Sequence, residues 1–208
     1  MKKTVIAGLM TSASLIATPV LAEKSVVTAL PEQVTVWVEN YNPFNQTTVL
    51  PTVEHFMYEP LIIFNRMDGG NPVFRLASDF KYSDDLTSID VTLRDGVEWS
   101  DGEAFDADDV LATFAMVMEN PAIDNQGMAK ILASVEKIDA QNVRFHLNTA
   151  SNQAMFQIVR VPIVAEHIWS GVDDPVTFTN PNPVGTGALT AVERFSAQEY
   201  VQCRNENY

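Results

Sequence analysis

A single cysteine, Cys203, stands among the 208 residues. No disulfide can therefore close within them. Basic residues are scarce too, with 13 Lys and Arg against 27 Asp and Glu and a formal net charge of −14. That balance argues against nucleic acid or anionic membrane as a partner, since both are bound through basic patches. The three histidines, His55, His146 and His167, share no ligand spacing with one another or with Cys203, which argues against a zinc site. No Gly-x-Ser-x-Gly elbow, phosphate loop or dinucleotide fingerprint occurs, and nothing calls for a cofactor. A nucleophile with a base and an orienting partner cannot be assembled, so the residues give no support to catalysis.

Acids do occur in pairs, at Asp84-Asp85, Asp108-Asp109 and Asp173-Asp174. A glycosidase needs two carboxylates facing each other across roughly 5–10 Å, which neighbours on a loop or helix start do not provide. These pairs read as capping and solvation. The acid-rich stretch from Asp101 to Asp109 lacks the alternate-position ligands and closing glutamate of an EF-hand.

The opening residues have a definite layout. Met1-Lys2-Lys3 is basic, Val5 to Ile16 is apolar, and Ala17 to Ala22 is rich in small residues. This is the order of a secretory signal peptide cut after Ala22. The apolar part is shorter than the about 20 residues of a membrane-spanning helix. Residues 1–22 are thus expected to be removed on export. In an exported protein an odd cysteine points either to a partner outside these residues or to a reactive thiol. With 46% hydrophobic and 19% charged residues the composition is globular.

Beyond the leader, Val34 to Val38 alternates as a strand does. It ends in a loop, Glu39 to Asn45, dense in amides and aromatics. Amides and rings at a strand end suit a ligand surface, which makes Asn40, Tyr41, Asn42 and Phe44 the candidate ligand-binding residues. A structural turn with Phe44 in the core explains the same residues. The proline in Phe56–Phe64 predicts a helix ending before Pro60 and a strand after it. Arg66 to Pro72 reads as a turn and Phe74 to Tyr82 as a strand or edge segment. Ser88 to Arg94 alternates strictly. Asp106 is placed to cap a helix carrying Val110, Leu111, Phe114, Val117 and Met118 at helical spacing, stopped by Asn120-Pro121. Further expectations are a helix over Gly127–Ala133, a hairpin of Val135–Ile138 with Asn142–Leu147, and a short helix over Ala154–Val159. Arg160–Val164 is a strand or extended crossover, and Gly185-Thr186-Gly187 a structural bend rather than an anion cradle. A strand pair, Ala188–Phe195 with Gln198–Arg204, follows. Strands and helices mix without strict alternation, the mark of α/β or α+β layering.

Four segments together, Tyr58-Glu59-Pro60-Leu61, Leu93 to Val110, Asn182 to Gly187 and Arg204 to Tyr208, resemble the family 5 extracellular solute-binding proteins of ABC transporters, the dipeptide- and oligopeptide-binding type. One departure is Ala188-Leu189, where that family shows a proline and an aromatic. Four further segments, Glu39–Phe44, Glu166–Trp169, Thr177–Asn180 and Tyr200–Cys203, look like its chito- and cello-oligosaccharide-binding members. The resemblance implies an α/β, periplasmic-binding-protein-like two-lobed fold. Residues 23–45 and 159–208 would be discontinuous pieces of lobe one, and 46–158 an inserted small α+β domain. The second lobe would lie outside these residues, making the chain the N-terminal part of a longer one. It further implies a monomeric periplasmic receptor, without enzymatic activity, that captures an oligosaccharide and delivers it to a membrane permease. Trp37, Tyr41 and Phe44 would offer rings on which sugars stack. Peptide is the alternative ligand. A secreted carbohydrate-active enzyme or a stand-alone interaction module explains less of the sequence.

Overall fold

A computed structural model describes residues 27–29, 38–45, 56–196 and 200–208. The expected leader, Trp37 and most of the expected strand Val34–Val38 lie outside the described residues, as does His55.

The strands form three antiparallel sheets. β1 (Val27–Ala29), β9 (Tyr200–Arg204) and β8 (Leu189–Phe195) form one, in that order. β2 (Ile62–Asn65) pairs with β3 (Asn71–Phe74). β4 (Ala77–Tyr82), β5 (Ser88–Leu93), β7 (Asn142–Leu147) and β6 (Leu132–Asp139) form the third in the order β4-β5-β7-β6. The first sheet joins segments from the two ends of the chain, while the four-stranded sheet is built within residues 77–147.

The four-stranded sheet follows directly from its pattern. In β5 and β7 alternate residues are buried, which places Ile89, Val91, Val143 and Phe145 on one face. Helix α1 (Ala107–Glu119) lays Val110, Phe114 and Val117 into the same core. The Phe114 and Phe145 rings meet edge to face at 4.9 Å. Each such side chain contributes about 1.5–3 kcal/mol on full burial. The opposite face is charged: Asp90 on β5 takes a two-pronged ion pair from Arg144 on β7 (2.5 and 2.8 Å), beside a His146–Glu136 contact of 2.8 Å.

Several elements depart from the pattern reading. The stretch 74–82 is two strands, because the amides of Arg75, Leu76 and Ala77 turn aside to the carbonyls of Pro60 and Leu61. Helix α2 is only Met128–Ile131, since Leu132 already pairs with Leu147 in the sheet. α3 spans Ala154–Ile158. Residues 160–165 join no ladder; the crossover is pinned where the Thr113 hydroxyl donates to the Val164 carbonyl and accepts from its amide. A short helix α4 (Glu166–Trp169) follows that the pattern did not reveal. No helix among the described residues is long and apolar enough to cross a membrane.

Candidate functional site

The candidate site grows out of two tight backbone arrangements. Asp106 caps α1 by accepting from the Asp108 amide at 2.7 Å, while Asp109 reaches back to the Asp106 amide at 3.0 Å, completing a capping box. Asp109 does more than cap. Its carboxylate is buried, and it also accepts from the Trp99 indole at 3.2 Å and from the Glu166 amide at 2.8 Å. The solvated reading of the Asp108-Asp109 pair is therefore corrected: Asp108 faces solvent and pairs with Lys137 at 2.6 Å, whereas Asp109 is an internal acceptor. Burial raises its pKa, and the bonds from Glu166, Asp106 and Trp99 oppose that rise. The other acid pairs organise turns: Asp85 holds Ser83 and Thr87, and Asp174 holds Val176 and Thr177.

The second arrangement is the Gly185–Gly187 segment. A Cβ on Gly185 would lie 2.1 Å from the Met57 carbonyl oxygen, and one on Gly187 2.2 Å from that of Phe56. Glycine is required here by close backbone approach, which supports the structural reading of this motif. Ser100 joins the segment twice, its amide donating to the Gly185 carbonyl and its hydroxyl accepting from the Gly185 amide.

Adjoining the Ser100 turn and the segment before Gly185 lies a cleft of about 1110 Å³. Its walls come from Glu39 and Tyr41, Ser100 and Asp101, the segment 181–184, residues 190–195 around β8, and residues 203–207. Four carboxylates (Glu39, Asp101, Glu193 and Glu206) and two guanidinium groups (Arg194 and Arg204) stand along it. The Asp101 carboxylate contacts His167 at 2.8 Å, and the Cys203 thiol donates to Glu193 at 3.3 Å.

The loop Asn40–Phe44 is inward-facing. Asn40, Tyr41, Asn42 and Phe44 are all buried. The Asn40 side chain accepts from the Asn42 amide. Asn42 donates to the carbonyls of Pro175 and Phe178, both at 2.8 Å, and accepts from the Phe44 amide at 2.9 Å. Phe44 packs edge to face on Trp169. Tyr41 is the one of the four that lines the cleft, its ring packed in a cluster with Phe195 and Tyr200. Its hydroxyl donates to Glu39 at 3.2 Å. Burial above all, with the Glu39 charge second, pushes this phenol far above its usual range and keeps it a donor. Pattern reasoning thus pointed to Tyr41 but missed Asp101, the segment 181–184 and β8. Asp101-Gly102 is a turn-forming pair, but its neighbours in space leave no local signal. Among the described residues no group of three or more His, Cys, Asp or Glu is placed to hold a metal ion.

Residues 71–208, well over half of the chain, match the model of the bacterial extracellular solute-binding proteins, family 5. The nickel-binding periplasmic protein of Escherichia coli is 27% identical over 197 residues, covering 86% of this chain and 35% of its own length. The di/tripeptide-binding protein 1 of Pseudomonas aeruginosa is 28% identical over 156 residues, covering 60% of this chain and 28% of that protein. Among solved structures, the mannohexaose-bound periplasmic oligopeptide-binding protein of Thermotoga maritima superposes with a TM-score of 0.76. It is 27% identical and covers 83% of this chain and 32% of that one. The chain spans about a third of the length of the first of these relatives.

Proposed function

Because the chain belongs to the bacterial extracellular solute-binding proteins of family 5, we propose that it is the N-terminal portion of the receptor of an ABC importer. The receptor captures a chito- or cello-oligosaccharide and hands it unaltered to a membrane permease. The relatives are solute-binding proteins rather than enzymes, in line with a binding role and no catalysis. The observation that carries the sugar reading is the cleft beside Tyr41 and β8, in a fold whose relative from Thermotoga maritima is described with mannohexaose. Sugar faces stack on rings while hydroxyls need paired donors and acceptors. The loop Asn40–Phe44 serves the ligand from within the wall: Tyr41, buried against Phe195 and Tyr200, backs the cleft, and Asn40, Asn42 and Phe44 fix the loop that carries it.

The domain reading goes with it. Residues 23–45 and 159–208 belong to lobe one and 46–158 to the inserted domain. It is supported by the sheet that joins β1 to β8 and β9 and by the four-stranded sheet lying wholly between them. Export by residues 1–22 is supported by their sequence order and by the periplasmic relatives, and predicts a mature N-terminus at Glu23. Cys203 forms a disulfide with a cysteine outside these residues, as an exporting compartment favours; mass spectrometry of the full-length protein tests this pairing.

A second reading, peptide capture, is favoured by the mixture of carboxylates and guanidinium groups on the cleft wall, which suits the two termini of a zwitterion. Deleting the gene separates the two. Loss of chito-oligosaccharide uptake with peptide uptake intact supports the sugar reading, and the reverse supports peptide.

A further inference from the structure

We infer that Asp109 is a positioning residue for the cleft: its one buried carboxylate fixes Asp101 through both its backbone and its side chain. The inference rests on the cleft being the ligand site, as proposed above.

Two routes run from Asp109 to Asp101. The first passes through Trp99, whose indole N–H donates to Asp109 Oδ2. Trp99 opens the turn 99–102, closed by the Gly102 amide on the Trp99 carbonyl at 2.9 Å. This turn carries Ser100 and Asp101 into the cleft wall. The second passes through α4. The Glu166 amide donates to Asp109 Oδ1, and the next residue, His167, contacts the Asp101 carboxylate at 2.8 Å. α4 has no side-chain cap of its own, so Asp109 supplies from 57 residues away what a local Ser or Asp usually does.

The turn then orders the remaining wall. Ser100 is bonded twice to Gly185, at the end of segment 181–184, and Asn207 donates through its amide to the Trp99 carbonyl at 3.1 Å. Three wall segments thereby converge on one carboxylate.

The chemistry of the partners explains why a carboxylate stands there. All three of the Asp109 contacts to Trp99, Asp106 and Glu166 are donated to it. An ionised carboxylate only accepts, and its two oxygens take all three bonds. An amide of the same shape has one acceptor and one donor. In Asp109→Asn the amide oxygen can stay with Trp99 and Asp106, which leaves its N–H₂ facing the Glu166 N–H, donor against donor. Trp99→Phe removes the indole donor, together with part of a ring buried beside Phe105, and leaves the α4 route intact.

Hydrogen exchange on the full-length protein tests this without any ligand. In Asp109→Asn, the amides of Glu166, Ile168 and Trp169 are expected to exchange roughly tenfold faster, the loss of about one net hydrogen bond. In Trp99→Phe the acceleration is expected at Ser100, Gly102 and Gly185, with α4 unchanged. The amides of Val91, Val143 and Phe145, which open with the whole fold, report each variant's global stability loss and serve as the reference. The same pattern at α4 and at the turn 99–102 in the two variants overturns the inference. Calorimetry with chitohexaose adds a readout at the site: both variants should bind roughly tenfold more weakly. If the native protein gives no heat with chitohexaose, the sugar reading fails while the exchange result still decides the role of Asp109. Native sugar affinity in both variants, with exchange accelerated as described, would confine Asp109 to structure and also overturn the inference.

Discussion

The Gly187 amide donates to the Met57 carbonyl at 3.0 Å, and this contact requires that neither Gly187 nor Gly185 carry a Cβ. The segment beside the cleft is thus threaded directly against the backbone that leads into Tyr58-Glu59-Pro60-Leu61. Tyr58, fully buried, accepts from the Asn180 amide at 2.6 Å and donates to the Tyr41 carbonyl at 3.3 Å. One continuous packing therefore runs from Gly185 through Met57 and Tyr58 to the candidate ligand loop.

Replacing Gly185 by Ala places a methyl 2.1 Å from a carbonyl oxygen. Because the obstacle is backbone, it cannot swing aside, and the variant is expected to lose about 3 kcal/mol, the upper end of overpacking costs. Gly96 is the control. Its φ is +69° with no atom within 4 Å of the added methyl, so Gly96→Ala bears only left-handed strain of about 1–2 kcal/mol. Urea unfolding of the two variants should rank them in that order.

The Asn42 side chain is fully buried and carries three hydrogen bonds. Asn42→Ala orphans two carbonyls and an amide, each costing about 1–3 kcal/mol if it finds no water. A loss near 3 kcal/mol is expected, with the Phe44–Trp169 contact loosened. Asn182, exposed on the cleft wall, should tolerate Ala within about 0.5 kcal/mol. Thermal unfolding of both checks the contrast.

The ion pair between Asp90 and Arg144 gives a pH signature. The bond from Arg144 is the main cause that holds the Asp90 carboxyl below its usual range. A depressed pKa means that the unfolded chain binds the proton more readily. The contribution is therefore present above the unfolded value near 3.8 and is lost as pH falls through the lower folded value. Both side chains are over a third exposed, so the pair contributes about 0.2–1 kcal/mol. Asp90→Asn should be less stable than the native protein above pH ~4, and the gap should close in acid. A constant gap from pH ~2 to 7 would contradict this.

What could be read in advance divides along the range of the interactions. The strict alternation of Ser88–Leu93 and the Asp106 cap are local signals and each appears where the pattern placed it. The break at Arg75–Leu76 and the short α2 depend on partners elsewhere in the chain. α4 was illegible for the same reason, its first amide being capped by Asp109. The candidate loop stands out in the sequence because amides beside aromatics form a local pattern. Its inward orientation was not, because Pro175, Phe178 and Trp169 receive it from more than a hundred residues away. The cleft wall is assembled from five separated stretches, and no local signal links Glu39 to Cys203.

Titration calorimetry on the full-length protein, run with chito- and cello-oligosaccharides beside a peptide panel and followed by chromatography of the sugar, tests the central claim most directly. The account predicts saturable sugar binding, no response to peptides and sugar recovered intact. These 208 residues alone should bind roughly a thousandfold more weakly, the equivalent of about 4 kcal/mol of contacts made by the rest of the receptor. Tight peptide binding without a sugar response, or release of shorter sugars during the titration, would contradict it.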